Sequence, residues 1–140
     1  MNIFFDMDYT LLSFDGTLRP LTFEVFHRLR QDGHRLYIWS GVGVRTHEVT
    51  KLGLAPFVQG VYQKPIEQFE QGLARYSIPL RPDFVVDDHK EIVDHFGGFL
   101  VRPYFWPDPH DRELERVYLT IRQLASRLTM PEDRGTRGLT

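Results

Sequence analysis

An uninterrupted apolar run stands directly before two acidic residues in the stretch Met1-Asn2-Ile3-Phe4-Phe5-Asp6-Met7-Asp8-Tyr9-Thr10-Leu11-Leu12. The run, residues 3–5, is β-branched and aromatic, which is typical of a strand buried on both faces of a parallel sheet. Ligands bind at the carboxyl ends of such strands, so we expect Asp6 and Asp8 at the functional edge. Two carboxylates about 4 Å apart repel by about 4 kcal/mol at an effective dielectric of about 20. The pair therefore needs a cation, a shared proton or full solvation.

The rest of the chain alternates between strand-like and helix-like segments. Apolar runs predict strands over residues 34–39, 57–62, 84–86 and 99–101, and helical spacing predicts helices over 20–33, 44–52, 65–76, 91–96 and 109–128. Pro65 is placed as a first helical residue, with Ile66 in the apolar stripe, and Asp15-Gly16 predicts the turn of a small flap. The pattern predicts an α/β fold: a Rossmann-like, doubly wound, mainly parallel sheet of about five strands with helices on both faces. No linker divides the chain, so we expect one domain over 1–130 and a flexible tail over 131–140.

Composition excludes several classes of function. The 140 residues include no cysteine, so a disulfide, a thiolate nucleophile and a cysteine-ligated zinc site are impossible. The net charge of −2, without a basic stripe, argues against a nucleic-acid partner. No apolar stretch approaches a membrane span and no secretion leader is recognisable, so we expect a soluble, cytoplasmic protein without a membrane partner.

Reactive side chains follow four of the predicted strands at the same edge of the sheet. They are Asp6 with Asp8, Ser40, Lys64, and Asp87 with Asp88. Taken singly, each has an ordinary interpretation: a serine that begins a helix, a solvated lysine, and acids that complement a helix dipole. Their common location favours one shared site.

These motifs closely resemble those of the haloacid dehalogenase-like superfamily of phosphatases and phosphotransferases. The resemblance covers residues 4–101 and consists of Asp6-Met7-Asp8-Tyr9-Thr10-Leu11, Ile38-Trp39-Ser40-Gly41, Lys64-Pro65 and Val85-Val86-Asp87-Asp88, in the order of the family. It implies a phosphomonoester hydrolase that works through an aspartyl-phosphate. The alternatives left open are a phosphotransferase, a protein or polynucleotide-end phosphatase, and a non-catalytic or regulatory protein with this fold.

The resemblance also implies a role for each motif residue. Asp6 is the expected nucleophile, and Asp8 the acid that protonates the leaving group and later activates water. Ser40 and the N–H of Gly41 are expected to hold a phosphate oxygen, with Lys64 neutralising charge. Mg²⁺ is the expected cofactor, held by Asp6, the backbone carbonyl of Asp8 and a carboxylate of the last motif. For that carboxylate we favour Asp87, with Asp88 acting through water or steadying Lys64, and Thr10 is expected to support the loop.

The spacing of the motifs leaves no room for a cap domain. Only 34 positions separate Asp6 from Ser40, and 24 separate Ser40 from Lys64. A minimal, capless member must exclude water with a large substrate, a neighbouring subunit in a homo-oligomer, or the flap at residues 13–17. The expected partner is a phosphorylated small molecule, although capless relatives also act on protein and nucleic-acid ends.

Further residues near the motifs have both a functional and an ordinary interpretation. Arg45, His47, His89 and Arg102 are candidates for substrate contact or for a solvated surface, and Tyr104, Phe105 and Trp106 for an aromatic wall or a packed loop. Two other classes of protein are disfavoured. A dehalogenase does not need the acid/base residue Asp8. A receiver domain, which also joins acids and a lysine around Mg²⁺, has its adjacent pair of acids after the first strand and its lysine last, whereas here Lys64 precedes Asp87 and Asp88.

Overall fold

Five parallel strands form one sheet in the structure of the protein, a computed structural model that describes residues 1–129. The predicted tail lies outside the described residues. The strands are β1 (Asn2–Asp6), β2 (Arg35–Ser40), β3 (Val58–Gln63), β4 (Phe84–Asp87) and β5 (Gly98–Leu100). They are ordered β3-β2-β1-β4-β5, and every pair is parallel. The predicted α/β fold class is confirmed.

Helices cover both faces of the sheet. They are α1 (Thr22–Gln31), α2 (Thr46–Lys51), α3 (Phe69–Arg75), α4 (Lys90–Phe96) and α5 (Glu113–Thr129), with a 3₁₀ turn at Ala55–Phe57. Side chains of β1 alternate between the faces: Ile3 and Phe5 pack with α1, α2 and α5, whereas Phe4 packs with α3 and α4. All three are fully buried. The apolar run of β1 is therefore the centre of two cores, as a doubly wound sheet requires.

The central position of β1 creates the point where the strand order reverses. The chain moves outward from β1 through β2 to β3, then returns to place β4 on the other side of β1. In open α/β sheets the crevice at such a reversal is where ligands bind. β1 ends at Asp6 and β4 ends at Asp87, so both acids are delivered to this crevice.

The start of α3 differs from the sequence prediction. Residues 64–68 are irregular and α3 begins at Phe69, after Gln68 at a left-handed φ of 48°. Pro65 is instead buried against α3, where a Cβ on Gly72 would lie 2.4 Å from the Pro65 Cβ. Ile66, expected in the apolar stripe of a helix, is 73% exposed, so that prediction is wrong. The predicted first helical turn is absent, and Pro65 instead packs closely against Gly72, a contact that the spacing of apolar residues does not reveal.

The segments between the strands contain the flap and helices, without an inserted domain among residues 1–129. Leu12 and Leu18 form an antiparallel bridge, and the N–H of Ser13 donates to Thr17 O at 2.9 Å, which confirms the predicted flap. At the tip of the flap, Phe14 stacks on Phe105 with 5.6 Å between ring centroids. In the part of the chain that the structure describes, no helix has the length and apolarity needed to cross a membrane.

Candidate active site

A buried lysine joins the carboxyl ends of β1 and β4. The Nζ of Lys64 donates to Asp6 Oδ1 at 3.2 Å and to Asp87 Oδ2 at 3.0 Å. The side chains of Lys64 and Asp6 are 6% and 5% exposed, and that of Asp87 is fully buried. Lys64 follows β3, and the N–H of Lys64 donates to Ser40 O at 2.9 Å. Three predicted site residues are thus in direct contact.

The cluster contains two buried carboxyl groups, those of Asp6 and Asp87, and one lysine, so negative charge is in excess if both acids are ionised. Burial, followed by the charge of Asp87, raises the pKa of Asp6 well above its usual range, and the opposing effect of Lys64 is smaller. Burial lowers the pKa of Lys64, but the charges of Asp6 and Asp87 outweigh it, so the pKa of Lys64 lies above its ordinary value. The ammonium group therefore stays charged, while Asp6 carries a proton more readily than an exposed carboxylate does.

Asp88 and His89 extend the acidic cluster. One ligand atom each from Asp6, Asp87, Asp88 and His89 lies within 4.8 Å of the others. The N–H of His89 donates to Asp87 Oδ1 at 2.9 Å. The hydroxyl of Thr10 lies 3.2 Å from Asp6 Oδ2 and 3.4 Å from Asp88 Oδ1, in agreement with its expected supporting role. The expectation that Asp88 steadies Lys64 is wrong, because Asp87 contacts the ammonium instead.

The donor set of this cluster suits a hard divalent cation. Three carboxylates within reach of one ion are the oxygen ligands that Mg²⁺ prefers, and one lysine cannot neutralise them. The sequence pattern anticipated the three acids but left His89 as either a substrate contact or a residue of a solvated surface. His89 directly follows the acid pair in sequence, and this adjacency is the signal that could have identified it as part of the cluster.

A second ion pair links Asp8 to the turn after β2. Arg45 Nη1 lies 2.8 Å from Asp8 Oδ2 and 3.4 Å from Ser40 Oγ, and Arg45 Nη2 donates to Glu48 Oε2 at 2.7 Å. The hydrogen bond from Arg45 to Glu48 and the charge of Asp8 raise the pKa of Arg45 above its usual range. Asp8 is 44% exposed, unlike the buried Asp6. One guanidinium therefore connects the expected acid/base residue with the expected phosphate-binding hydroxyl.

These groups face one cavity of about 570 Å³ at the carboxyl edge of the sheet. It is lined by Asp6, Asp8, Tyr9, Ser40, Gly41, Val42, Lys64, Pro65, Ile66, Phe69, His89, Glu91 and Ile92. The volume lies in the range of small-molecule sites in proteins. The predicted catalytic and phosphate-binding residues all border this cavity. Asp87 and Asp88 are not among the lining residues; Asp87 contacts Lys64, and Asp88 contacts Thr10.

Other candidates from the sequence lie away from the cavity lining. His47 is exposed on α2, and Arg102 pairs with Glu113 at 3.3 Å. Tyr104 is buried and belongs to a packed loop. Phe105 and Trp106 are partly exposed and stack around Phe14 rather than around the cavity. None of the three predicted wall residues lines the cavity, whose aromatic lining includes Tyr9 and Phe69; Tyr9 stacks on Phe105 with 5.4 Å between centroids.

Comparisons with known proteins support the fold and leave the activity open. No protein-family model matches the sequence, and no curated protein matches it. One solved structure to which the chain is similar is described as an uncharacterized protein from Listeria monocytogenes serotype 4b, with a TM-score of 0.63 and 13% identity. The match covers 90% of this chain and 99% of that chain. At this identity the likeness shows a shared fold alone.

Proposed function

We propose that the protein is a Mg²⁺-dependent phosphomonoester hydrolase of the haloacid dehalogenase-like type, acting through a phosphorylated Asp6. One observation carries the proposal: the Lys64 ammonium bridges Asp6 and Asp87 at the base of a cavity that Asp8 and Ser40 also border. This arrangement combines a nucleophilic carboxylate, a second carboxylic acid and a fixed positive charge. Phosphoryl transfer needs these groups together, because positioning and charge stabilisation provide most of its catalysis.

The reaction proceeds in two displacements at phosphorus. In the first, a carboxylate oxygen of Asp6 bonds to phosphorus, the bond to the ester oxygen breaks, and Asp8 donates its proton to that oxygen. The alcohol then leaves. In the second, the Asp8 carboxylate removes a proton from water, whose oxygen bonds to phosphorus as the bond to Asp6 breaks. Inorganic phosphate is released, and both aspartates return to their starting forms.

Other residues stabilise the charge of the transferred group. Lys64 offsets the negative charge that gathers on the phosphoryl oxygens, and the Ser40 hydroxyl with the Gly41 N–H holds one of them. Arg45 orients Asp8 through their ion pair of 2.8 Å. The half-exposed position of Asp8 is favourable for this residue, since it exchanges protons with the leaving alcohol and with water.

Mg²⁺ would be held by Asp6, the backbone carbonyl of Asp8 and a carboxylate of the Asp87-Asp88 pair. When bound, it supplies positive charge that offsets the acidic cluster and the phosphate dianion. Both oxygens of Asp87 already accept hydrogen bonds, from Lys64 and from the N–H of His89. The Asp88 carboxylate makes longer contacts, at 3.4 Å each with the Thr10 hydroxyl and with His89 Nδ1, and it faces the Asp6 carboxyl. We therefore assign the direct metal contact to Asp88, in place of the Asp87 that the sequence favoured.

The experiment is hydrolysis of p-nitrophenyl phosphate by the purified chain with Mg²⁺ or with EDTA. We expect turnover with Mg²⁺, none with EDTA, and none for Asp6→Asn. In Asp8→Asn the second displacement is impaired, so acid-quenched protein should carry one phosphoryl group that peptide mass spectrometry locates on Asp6. Asp94→Asn, a change at an exposed acid paired with Lys90, is the matched control and should retain turnover. Full activity of Asp6→Asn would exclude the covalent mechanism, and absence of turnover in the wild type would exclude the function.

A further inference from the structure

The wall of the cavity is apolar although its floor is charged. The aliphatic and phenyl side chains of the lining are those of Val42, Pro65, Ile66, Phe69 and Ile92. Val42 and Ile66 are 75% and 73% exposed, so neither side chain is needed to fill the core. Two large apolar side chains beside a phosphate site gain free energy only if an apolar group covers them.

Ile66 is placed over the site by two local features. The irregular course of residues 64–68 removes it from a helix stripe, and the turn after β2 offers a residue without a side chain. A Cβ on Gly41 would lie 3.2 Å from Ile66 Cγ2. Glycine at this position therefore lets Ile66 lie directly against the turn that is expected to hold the phosphate. The apolar side chains of the cavity therefore lie next to the expected position of the phosphate.

The charges around the cavity do not favour a second anionic group. Among the lining residues in the described part of the chain, Lys64 is the only lysine or arginine, and it already pairs with Asp6 and Asp87. The nearby Arg45 is engaged by Asp8 and Glu48. Asp8 and Glu91 add negative charge to the lining. A carboxylate or second phosphate on the substrate would meet repulsion without a free lysine or arginine to pair with.

We propose that the substrate is a monophosphate ester of an apolar alcohol, with no second anionic group, whose hydrocarbon part lies against Val42 and Ile66. This inference rests on the proposed phosphomonoester hydrolase function. The floor of the cavity binds the phosphate, and the cavity of about 570 Å³ has room for a small organic group beyond it. The occupant of the apolar wall is thus the alcohol of the ester itself.

The experiment compares esters that differ only in the group facing the wall. Ethyl, butyl and hexyl phosphate have alcohols of nearly equal basicity, so their kcat/KM values report binding of the chain. We expect kcat/KM to rise with length, by up to about fourfold for each fully buried methylene, since that burial provides about 0.8 kcal/mol. 6-Phosphooxyhexanoate, which is hexyl phosphate with a terminal carboxylate, should fall at least tenfold below hexyl phosphate.

Two variants assign the effect to the wall. Ile66→Ser should flatten the dependence on chain length, and because Ile66 is exposed the substitution leaves the core packing unchanged. Val44→Ser changes a residue that is 60% exposed and outside the lining, so it should keep the wild-type dependence. Turnover with no dependence on length, or with preference for the carboxylate ester, would overturn the inference and leave the hydrolase function standing. No turnover of any ester would overturn both.

Discussion

Replacing Asp6 with asparagine should stabilise the protein in the absence of metal while it removes activity. The change keeps the shape of the side chain and deletes its charge. The Thr10 hydroxyl, 3.2 Å from Asp6 Oδ2, can accept from the new amide and donate to Asp88, which lies 3.4 Å away. The substitution therefore leaves no obvious polar group without a partner.

The magnitude follows from the charges around Asp6. Its ligand oxygen lies within 4.8 Å of those of Asp87 and Asp88. Each repulsion is then at least about 3.5 kcal/mol at an effective dielectric of about 20, whereas attraction by Lys64 at 3.2 Å is about 5 kcal/mol. The balance opposes ionised Asp6 by about 2 kcal/mol, and burial adds to it. We expect the free energy of unfolding at pH 7 in EDTA to rise by about 2 kcal/mol in the variant.

The sign of the pH dependence follows from the raised pKa of Asp6. Between the ordinary carboxyl value of about 4 and the raised native value, the native state binds more protons than the unfolded state. Stability of the wild type therefore falls as pH rises through this window, by at most about 1.4 kcal/mol per pH unit for this one group. The advantage of Asp6→Asn should vanish near pH 4 and grow as pH increases.

The assay is urea unfolding followed by tryptophan fluorescence, in EDTA and in Mg²⁺, from about pH 4 to pH 8. Mg²⁺ bound to the native wild type should reduce or reverse the difference in unfolding free energy between Asp6→Asn and the wild type. Asp94→Asn, at an exposed acid, should show no comparable change. If Asp6→Asn were the less stable protein at pH 7 in EDTA, the acidic cluster would not be repulsive in the folded state, and the electrostatic description of the site would be wrong.

Three other substitutions, two of them with a control substitution, test parts of the structure. Lys64→Met leaves buried acids without their counter-charge and should cost about 3–5 kcal/mol of unfolding free energy in EDTA, whereas the exposed Lys90→Met should leave stability unchanged. Gly98→Ala would place a Cβ 1.9 Å from a carbonyl oxygen of β4 at a φ of +155°, and should cost more than about 3 kcal/mol by urea unfolding. Gly16→Ala, at a φ of +84° with nothing within 4 Å, should cost only about 1–2 kcal/mol. Asp88→Asn should weaken Mg²⁺ binding at least about tenfold by calorimetry, and unchanged affinity would return the direct contact to the neighbouring acid.

The parts of the fold that could be predicted from the sequence are those that depend on local patterns of apolar and polar residues. The apolar run before Asp6 and the one before Asp87 each indicated a buried strand, and both acids lie at the expected edge. Because parallel strands end at a common edge, the sequence predicts that Asp6, Lys64 and Asp87 share one edge, and the structure adds their direct contact.

What escaped prediction depends on packing contacts and on side-chain direction. The sequence predicts α3 from Pro65, but residues 64–68 are irregular and Pro65 packs against Gly72, a contact that leaves no periodic trace. The sequence leaves Arg45 as a substrate contact or a residue of a solvated helix face, but in the structure it pairs with Asp8 at 2.8 Å. The choice between Asp87 and Asp88 for Lys64 depends on which way each side chain turns after the strand ends, and spacing does not encode that direction.

The central place of β1 has a consequence during protein synthesis. Its neighbours in the sheet are β2 and β4, and β4 is the fourth strand to leave the ribosome. The Ile3-Phe4-Phe5 segment therefore lacks one of its two neighbouring strands until β4 has been synthesised. Short aromatic and β-branched segments in that situation are prone to self-association. Nascent chains that end before Phe84 should accordingly depend on chaperones, whereas chains that include β4, β5 and the helix α5, which covers Ile3 and Phe5, should not.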